Sequence, residues 1–285
     1  MIKNRTLSLA VIIMVYVITV FAGIYAYDYF RSDFSVELSL LFADIAATAV
    51  VFLFSLIFGN ASVYDPYWSV QPPVILGVAL LRCSQPGMAE GSRFLGLLLF
   101  AVVLIWAVRL TSNWAYNFKS FEYQDWRYVM LKEKSGRAYP LINFLGIHLF
   151  PTVVVYFCIL PAVTVVYTGA AFRPLCLFFI LICLAAAIFQ GIADIQMHKF
   201  RSQKTGGFIR TGLWKRSRHP NYACEILMWW GVGLASVIAM PDKWYLLIGA
   251  LVNTLMFLFV SIPMADKRQS LKPGFDEYKK ETRML

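Results

Sequence analysis

One apolar segment carries polar residues on a single face, and this is the first sign of chemistry in the sequence. Gln190, Asp194, His198 and Arg201 follow one another at intervals of four, four and three residues, so a helix would present them together. Ionisable side chains in membrane helices are costly, and each is a functional-site candidate. Interhelical hydrogen bonding is the alternative, at about 0.6–2 kcal/mol per bond. It suffices for Gln190, whereas Asp194 favours a functional site.

The strongest pattern is the stretch GLWKRSRHPNYACEILMWWG at residues 212–231. Pro220 suits the first turn of a helix, where its missing N–H is not needed. Asn221 and Glu225 then share one face beside the basic residues that end at Arg218. A helix N-terminus next to cations suits a polyanion such as a nucleotide phosphate. An interfacial anchor would explain the cations and tryptophans, but not a glutamate one turn inside the helix.

Two further clusters have functional and structural interpretations of similar weight. Arg109, Asn113 and Asn117 recur every four residues and would form a polar channel, although snorkelling also explains an arginine near a helix end. The turn-rich stretch NASVYDPYWSVQPP contains Tyr64 and Asp65. Such a stretch is also typical of an interfacial turn with its aromatic belt.

The composition requires a membrane as the setting for these residues. Of 285 residues, 59% are hydrophobic and only 15% are charged, and the mean hydropathy is +0.64. A soluble domain carries about a quarter charged residues, so a soluble globular, disordered or disulfide-framework protein is excluded. The sequence predicts an all-α, polytopic membrane helix bundle.

Eight apolar runs are long enough, or nearly so, to cross a bilayer. The third is short and opens on Pro72 and Pro73, so the prediction is seven to eight spans. The first could be a signal peptide, but a retained helix is favoured because no clear cleavage site follows it. Basic residues collect before the first run, after the fourth and sixth, and in the tail, which predicts an even number of crossings and cytoplasmic termini. The runs are 7–27, 38–58, 68–82, 93–115, 141–167, 173–197, 219–240 and 243–262.

Several classes of chemistry lack their signatures. The five cysteines form no CxxC and the three histidines form no close pairs, so neither a zinc site nor a di-iron oxygenase is expected, and we expect no metal. The sequence contains neither GxGxxG nor GxxxxGK[ST]. Attraction to anionic lipid explains the basic loops better than nucleic acid, which we do not expect as a partner.

The stretch SRHPNY, followed by a glutamate and then WWG, resembles the C-terminal domain of the steroid 5-alpha-reductase family. The nearest resemblance is to its branch of poorly characterised reductase-like membrane proteins, related also to delta-14 sterol reductases. Four more segments resemble motifs of that branch in the same order, so that the likeness covers about residues 60–285. They are YDPYWS from Tyr64, RLTSN from Arg109, QDWRY from Gln124, and ADIQ from Ala193 with the following Phe200-Arg201.

This resemblance implies an NADPH-dependent reductase of a carbon–carbon double bond in a steroid-like or other lipid. It implies N-terminal membrane helices at 1–59 and a reductase-like domain at 60–285, with the NADPH site at about 190–285. Asp65 would be the acid and Tyr64 a nearby hydroxyl that polarise a substrate carbonyl. The tail departs from the family, since Asp266-Lys267-Arg268 stands where a Glu-Arg pair is usual. The expected NADPH ligands are Asp194, Arg201, Arg218, His219, Asn221, Tyr222, Glu225, Arg109 and Asn113.

The sequence is also compatible with two other functions. The isoprenylcysteine carboxyl methyltransferases, which use S-adenosylmethionine, also carry an R-H-P-x-Y motif, but Asn221 and Glu225 favour the reductase. A transporter or non-catalytic lipid-binding protein is the second alternative, and clustering of ionisable residues towards one end disfavours transport. We expect a monomer in the bacterial inner membrane or the endoplasmic reticulum.

Overall fold

A computed structural model describes residues 2–83, 90–204 and 206–285. Those residues form helices and no strand, which confirms the predicted all-α membrane bundle. Short 3-10 or π-helical segments at Ala61–Tyr64, Gly136–Ala138, Asn143–Leu149, Gly212–Lys215, Pro241–Leu247 and Phe257–Ser261 connect or extend the α-helices. The α-helices are α1 Arg5–Phe30, α2 Val36–Ile57, α3 Tyr67–Arg82, α4 Glu90–Asn117, α5 Trp126–Ser135, α6 Tyr139–Ile142, α7 Phe150–Thr168, α8 Leu175–Ser202, α9 Pro220–Ala239, α10 Ile248–Met256, α11 Ile262–Gln269 and α12 Phe275–Glu281.

Local sequence explains where several helices begin and end. The side chains of Asn4 and Ser35 accept hydrogen bonds from backbone N–H groups in the first turns of α1 and α2, as N-cap residues do. Pro220 occupies the first turn of α9. Gly169 ends α7 in the left-handed conformation that glycine adopts without penalty.

Seven helical segments in the described parts of the chain are long and apolar enough to cross a membrane. They correspond to the predicted runs except the third, which is α3. At 1.5 Å per residue, the 16 residues of α3 span about 24 Å, less than the hydrocarbon thickness of about 30 Å. The predicted range of seven to eight spans therefore depends on how α3 is counted.

All the basic segments meet at one end of the bundle, which we call the basic end. Lys3 pairs with Glu122 at 3.3 Å, and Arg5 donates to the carbonyl of Phe118 at 2.9 Å. The guanidinium of Arg268, in the tail, lies 4.4 Å from the ring centre of Trp126. Both terminal segments therefore lie on the same side, as the charge distribution predicted.

The opposite end is built from the turns that carry few cations. Arg82, at the end of α3, pairs with Asp28, near the end of α1, at 2.7 Å. The Tyr167 hydroxyl of α7 bonds the carboxylate of Glu37 in α2. The first turn of α3 packs beside the middle of α2, and its last turn reaches the end opposite the basic end. α3 therefore begins inside the bundle and crosses only part of its thickness.

Close contact between α8 and α9 positions the candidate site. A Cβ at Gly231 of α9 would lie 2.5 Å from the Cys183 sulfur of α8, so only glycine permits this approach. A large side chain here would separate the two helices and move every polar residue below the contact.

The tail folds back over the loop between α8 and α9. The Tyr278 hydroxyl of α12 bonds the carbonyl of Trp214, and the Arg210 guanidinium donates to the Gly274 carbonyl at 2.6 Å. Gly274 has φ +77°, and an added Cβ would lie 2.9 Å from the Arg210 guanidinium. The tail is therefore an integral wall of the basic end.

Candidate functional site

The predicted polar face of α4 lies against that of α8. Their side chains meet in three successive pairs, which we call the rungs of a ladder. Arg109 of α4 donates to Asp194 of α8 at 2.8 Å. One turn nearer the basic end, Asn113 and His198 are joined at 2.8 Å between Oδ1 and Nε2. Helical spacing on both partners produces this ladder, because residues four apart recur on the same face. At the last rung the Arg201 guanidinium reaches the Asn117 side chain at 3.5 Å.

Glu225 lies just beyond the first rung and is almost completely buried, with 4% exposure. Its Oε2 accepts hydrogen bonds from the Trp106 indole and the Gln190 amide, each at 2.8 Å. Its Oε1 accepts from the Trp229 indole at 2.9 Å. Three donors from three helices thus fix one carboxylate inside the bundle. We call these residues, with Arg109 and Asp194, the Glu225 cluster.

Several buried polar atoms of this cluster have no hydrogen-bond partner. Arg109 Nη2 lies 4.0 Å from Glu225 Oε2, too far for a hydrogen bond, and Nη2 and Nε of Arg109 are buried without a partner. Gln190 Oε1 is also buried without a partner. Such groups are uncommon in native structures and call for an explanation. Two donors and one acceptor are available here for a small polar group, next to two carboxylates and one guanidinium.

The residues around Pro220 divide between the cluster and the tail. Asn221 accepts from Gln190 through its backbone carbonyl at 3.2 Å and is only partly buried. The Tyr222 ring stacks parallel on the His219 ring, with centroids 5.3 Å apart. Asn221 and Tyr222 therefore lie where the first turn of α9 meets the basic end.

Arg218 and His219 bind the tail. Arg218 donates to Asp266 at 3.2 Å and to the Thr282 carbonyl at 2.6 Å, and His219 Nε2 lies 2.9 Å from Asp266. Burial lowers the pKa of His219, while its bond to Asp266 opposes that shift. The sequence placed both residues against the cofactor, whereas their side-chain partners here belong to α11 and the end of the chain. We call this group the tail latch.

A separate group of cations lies near Arg201. Burial and the charges of Arg268 and Arg201 lower the pKa of the Lys272 amine, so the three cations act on one another through their charges. Lys272 donates to the Gly207 carbonyl at 2.6 Å, and none of the three forms an ion pair with an acidic residue in the described ranges. This cation group can bind an anion, and the sequence identified only Arg201 in it.

Tyr64 and Asp65, the predicted catalytic pair, diverge in the structure. Asp65 is partly exposed and accepts from the Tyr128 hydroxyl at 2.6 Å. The buried Tyr64 hydroxyl instead bonds the Thr152 hydroxyl at 2.9 Å. Burial raises the pKa of the Asp65 carboxyl to about 6, and the nearby Arg127 opposes the shift. The two side chains therefore have separate hydrogen-bond partners.

Another acid and tyrosine are in direct contact. The Tyr67 hydroxyl donates to Asp44 Oδ1 at 2.8 Å, and the Gln71 amide bonds Asp44 Oδ2. Asp44 and Tyr67 are 4% and 5% exposed. They line a cavity of about 60 Å³ between α1, α2 and α3, whose other walls are mostly apolar, and Gln71 Oε1 is buried without a partner. We call Asp44 and Tyr67 the Asp44 pair, and the Gln71 amide supports it.

Spacing in the sequence carried a signal for this second group. Tyr67 and Gln71 are four residues apart, as are Asp44 and Thr48, so each pair shares a helical face. Asp44 is the one charged residue of the apolar run 38–58, and its partners lie on a different helix. Only the packing of α2 against α3 shows that the two faces meet.

Tryptophans connect the two groups. Trp68 follows Tyr67 on α3, and its ring lies 6.1 Å from that of Trp106, whose indole binds Glu225. The Trp106 and Trp229 rings meet edge to face at 4.9 Å. The rings of Trp68 and Trp106 therefore lie between the Glu225 cluster and the helix that carries Tyr67.

In the described residues, no three His, Cys, Asp or Glu side chains are grouped as metal ligands. Residues 51–282 match a family described as a protein of unknown function, DUF1295. No curated protein and no solved structure matches the chain. The matched family is related to steroid 5-alpha-reductase-like proteins. Because the match covers most of the 285 residues, the chain belongs to the DUF1295 family.

Proposed function

We propose that this protein is an NADPH-dependent membrane reductase that saturates a carbon–carbon double bond conjugated to a carbonyl in a lipid. The observation that carries the proposal is the presence of two unlike polar groups that are connected through the contact between Trp68 and Trp106. The Glu225 cluster has unused polar capacity, and the Asp44 pair faces a mostly apolar cavity. The relation of the family to steroid 5-alpha-reductase-like proteins agrees with this chemistry.

The residues present fit the cofactor at both of its ends. A carboxamide offers a carbonyl to the free N–H groups of Arg109 and an NH₂ to Gln190 Oε1, the atoms that lack partners. Arg201, Arg268 and Lys272 offer charge without acidic partners to phosphate groups. With both carboxylates ionised, the Glu225 cluster has one excess negative charge, which suits a ring that becomes cationic when oxidised.

Bound NADPH would supply a hydride to the β-carbon of the substrate. When a substrate binds, a protonated Asp44 would donate to the Tyr67 oxygen, which would free the single Tyr67 hydroxyl hydrogen to bond the substrate carbonyl oxygen. Gln71 fixes Asp44, so the acid does not reorganise during the reaction. Apolar side chains such as Leu40 and Ile75 exclude water from the cavity, which strengthens this polarisation. A proton delivered to the α-carbon completes the reduction.

The methyltransferase has one observation in its favour. S-adenosylmethionine is a sulfonium cation, and the excess negative charge of the Glu225 cluster would suit it as well. The cation group of Arg201, Arg268 and Lys272 favours NADPH, because S-adenosylmethionine contains no phosphate. The two ligands therefore differ in whether they need cations at the basic end: NADPH needs them for its phosphate groups and S-adenosylmethionine does not.

Mass spectrometry of small molecules that co-purify with the detergent-solubilised protein tests the proposal. We expect NADP(H), retained by the wild type and lost when Arg201 and Lys272 are both replaced by glutamine. Lys134→Gln with Arg137→Gln is the matched control, since both are exposed cations at the same end. S-adenosylmethionine in place of NADP(H) would assign a methyltransferase. Absence of both, together with no NADPH binding on addition, would indicate a non-catalytic lipid-binding protein.

A further inference from the structure

A row of buried hydroxyl groups leads away from the Asp44 pair. Tyr64 and Thr152 are joined at 2.9 Å, and Thr152 and Thr48 at 3.1 Å between their Oγ1 atoms. The Thr48 hydroxyl in turn interacts with the Tyr67 hydroxyl. Thr152 and Thr48 are completely buried and Tyr64 is 1% exposed. Three helices and the segment before α3 each contribute a member, so the row is not produced by one helix alone.

The proposed reaction consumes protons, and the row of hydroxyl groups leads to the residues that must be supplied with them. Each reduction of an enone consumes one hydride and one proton, and the proton comes from water in the end. Asp44 and Tyr67 are buried, and the cavity beside them has almost no polar surface through which water could deliver a proton. A second route to the Asp44 pair is therefore required.

The outer end of the row approaches the basic end of the bundle. Asp65 follows Tyr64 in the chain and is partly exposed, and both Asp44 and Asp65 raise the pKa of Tyr64 by their charges, after burial. The pKa of Asp65 is raised to about 6, so its carboxyl exchanges protons readily near neutral pH. The charged or titratable groups that face Asp65 are Arg127, Asp125, Tyr128, Tyr16 and Tyr64.

We propose that Asp65, Tyr64, Thr152 and Thr48 form a proton path that recharges Tyr67 and Asp44 from the basic end; this inference rests on the proposed function. In each turnover the Tyr67 hydroxyl loses one proton to the substrate. Each hydroxyl of the row then accepts one proton from its outer neighbour and passes one inward, and Asp65 takes one from water. No member is oxidised or reduced, and the row returns to its starting state. The step from Asp65 to Tyr64 requires one bridging water.

Thr152 is the residue at which the path can be cut, because its hydroxyl bonds both Tyr64 and Thr48. Thr152→Val removes the hydroxyl with little change in shape, and Thr152→Ser keeps it. Thr164→Val is the matched control: Thr164 lies on the same helix and is 2% exposed, and its hydroxyl interacts with the Leu160 carbonyl and with Tyr167, neither of which belongs to the row.

Exchange of the Tyr67 hydroxyl from H to D measures the path without any substrate. The protein carries tyrosine labelled with ¹³C at Cζ, and the Tyr67 signal is assigned by its loss in Tyr67→Phe. After transfer to D₂O we expect exchange at Tyr67 to be at least tenfold slower in Thr152→Val than in wild type. Thr152→Ser and Thr164→Val should exchange at the wild-type rate. An unchanged rate in Thr152→Val would overturn the path.

Turnover supplies a second readout, with androst-4-ene-3,17-dione as the enone probe and NADPH oxidation as the signal. In Thr152→Val we expect a lower kcat, unchanged NADPH affinity and a larger solvent deuterium isotope effect than in wild type. Wild-type kcat in Thr152→Val would also overturn the path. If even the wild type oxidises no NADPH with this steroid, the proposed reaction on steroid enones fails, and the tyrosine exchange still decides the path.

Discussion

Glu225 binds three N–H donors with one carboxylate, and this arrangement makes its charge difficult to replace. An amide at this position would turn its own NH₂ towards the indole or amide donors of Trp106, Trp229 or Gln190. A buried donor without an acceptor costs about 1–3 kcal/mol. The same change removes the excess negative charge of the cluster.

Glu225→Gln should therefore weaken NADPH binding at least tenfold, about 1.4 kcal/mol, because the polar surroundings of the carboxamide site are disturbed. Fluorescence titration of the purified protein with NADPH measures the affinity, and thermal unfolding of the same sample reports stability. Glu122→Gln is the control, since Glu122 pairs with Lys3 at the surface, away from the Glu225 cluster. Wild-type affinity in Glu225→Gln would remove this residue from the site.

Asp44→Asn and Asp65→Asn separate the two acids that the sequence and the structure favour. Asp44 bonds Tyr67 directly, so Asp44→Asn should lower kcat about 100-fold, a loss typical of a general acid, and leave NADPH affinity unchanged. Asp65→Asn should have a smaller effect on kcat and should alter its pH dependence around pH 6. NADPH oxidation with a steroid enone measures both. The reverse order of effects would restore Asp65 as the polarising acid.

Among the helices, the spacing of polar residues one helical turn apart predicted more contacts of the site than the sequence motifs did. The faces of α4 and α8 met as a ladder because residues four apart must share a face. The partners of Asp44 and the role of Asp266 were not predictable in this way. Both depend on contacts between segments far apart in the chain, and no periodic pattern records which helices become neighbours.

The tail latch is held by a buried charge pair. Asp266→Asn leaves Arg218 with 8% of its side chain exposed and no carboxylate partner, which costs about 3 kcal/mol for a buried pair. We expect a lower thermal unfolding temperature and faster backbone hydrogen exchange over α12. Hydrogen–deuterium exchange with mass spectrometry locates the change. Asp276→Asn, at an exposed position of α12, should change neither quantity.

The same latch should weaken in acid. Burial lowers the pKa of His219 in the folded state below its ordinary value of 6.5, although Asp266 opposes the shift and Arg218 adds to it. The unfolded chain then binds protons more readily than the folded one, so this contribution to stability is present above about pH 6.5 and is lost as the pH falls below it. Exchange over α12 should rise below pH 6.5 in the wild type. His219→Gln should remove that pH dependence, and a persistent one would assign it to another group.

At the scale of the whole molecule, composition and charge predicted the architecture well. The apolar runs became the long helices, and the basic segments converged at one end because cations outside the bilayer share a side. The third apolar run is the one whose helix is too short to be counted as a membrane span. α3 is short because the segment from Ala61 to Pro66 turns inside the bundle, among α1, α2 and α5, and burial of such a turn cannot be recognised from hydropathy.

Side-specific labelling tests whether the chain makes an even number of crossings. Cysteine introduced at Lys3 or Lys280 should react with an impermeant maleimide from the same side of sealed vesicles, and cysteine at Arg173 from the other. The control is the parent protein, whose cysteines Cys83, Cys158, Cys176 and Cys183 are buried and Cys224 partly so. Labelling of the two terminal positions from opposite sides would reduce the count to seven.

The cation group of Arg201, Arg268 and Lys272 has a consequence for how this protein is handled. The charges of Arg201 and Arg268 act unfavourably on Lys272, and an anion that binds there relieves this repulsion. The attraction between the cations and an anion weakens as the salt concentration increases. Inorganic phosphate or sulfate in a purification buffer will compete for the same cations. Affinities for nucleotides measured in such buffers will therefore be too weak, and chloride buffers of low ionic strength are the appropriate choice.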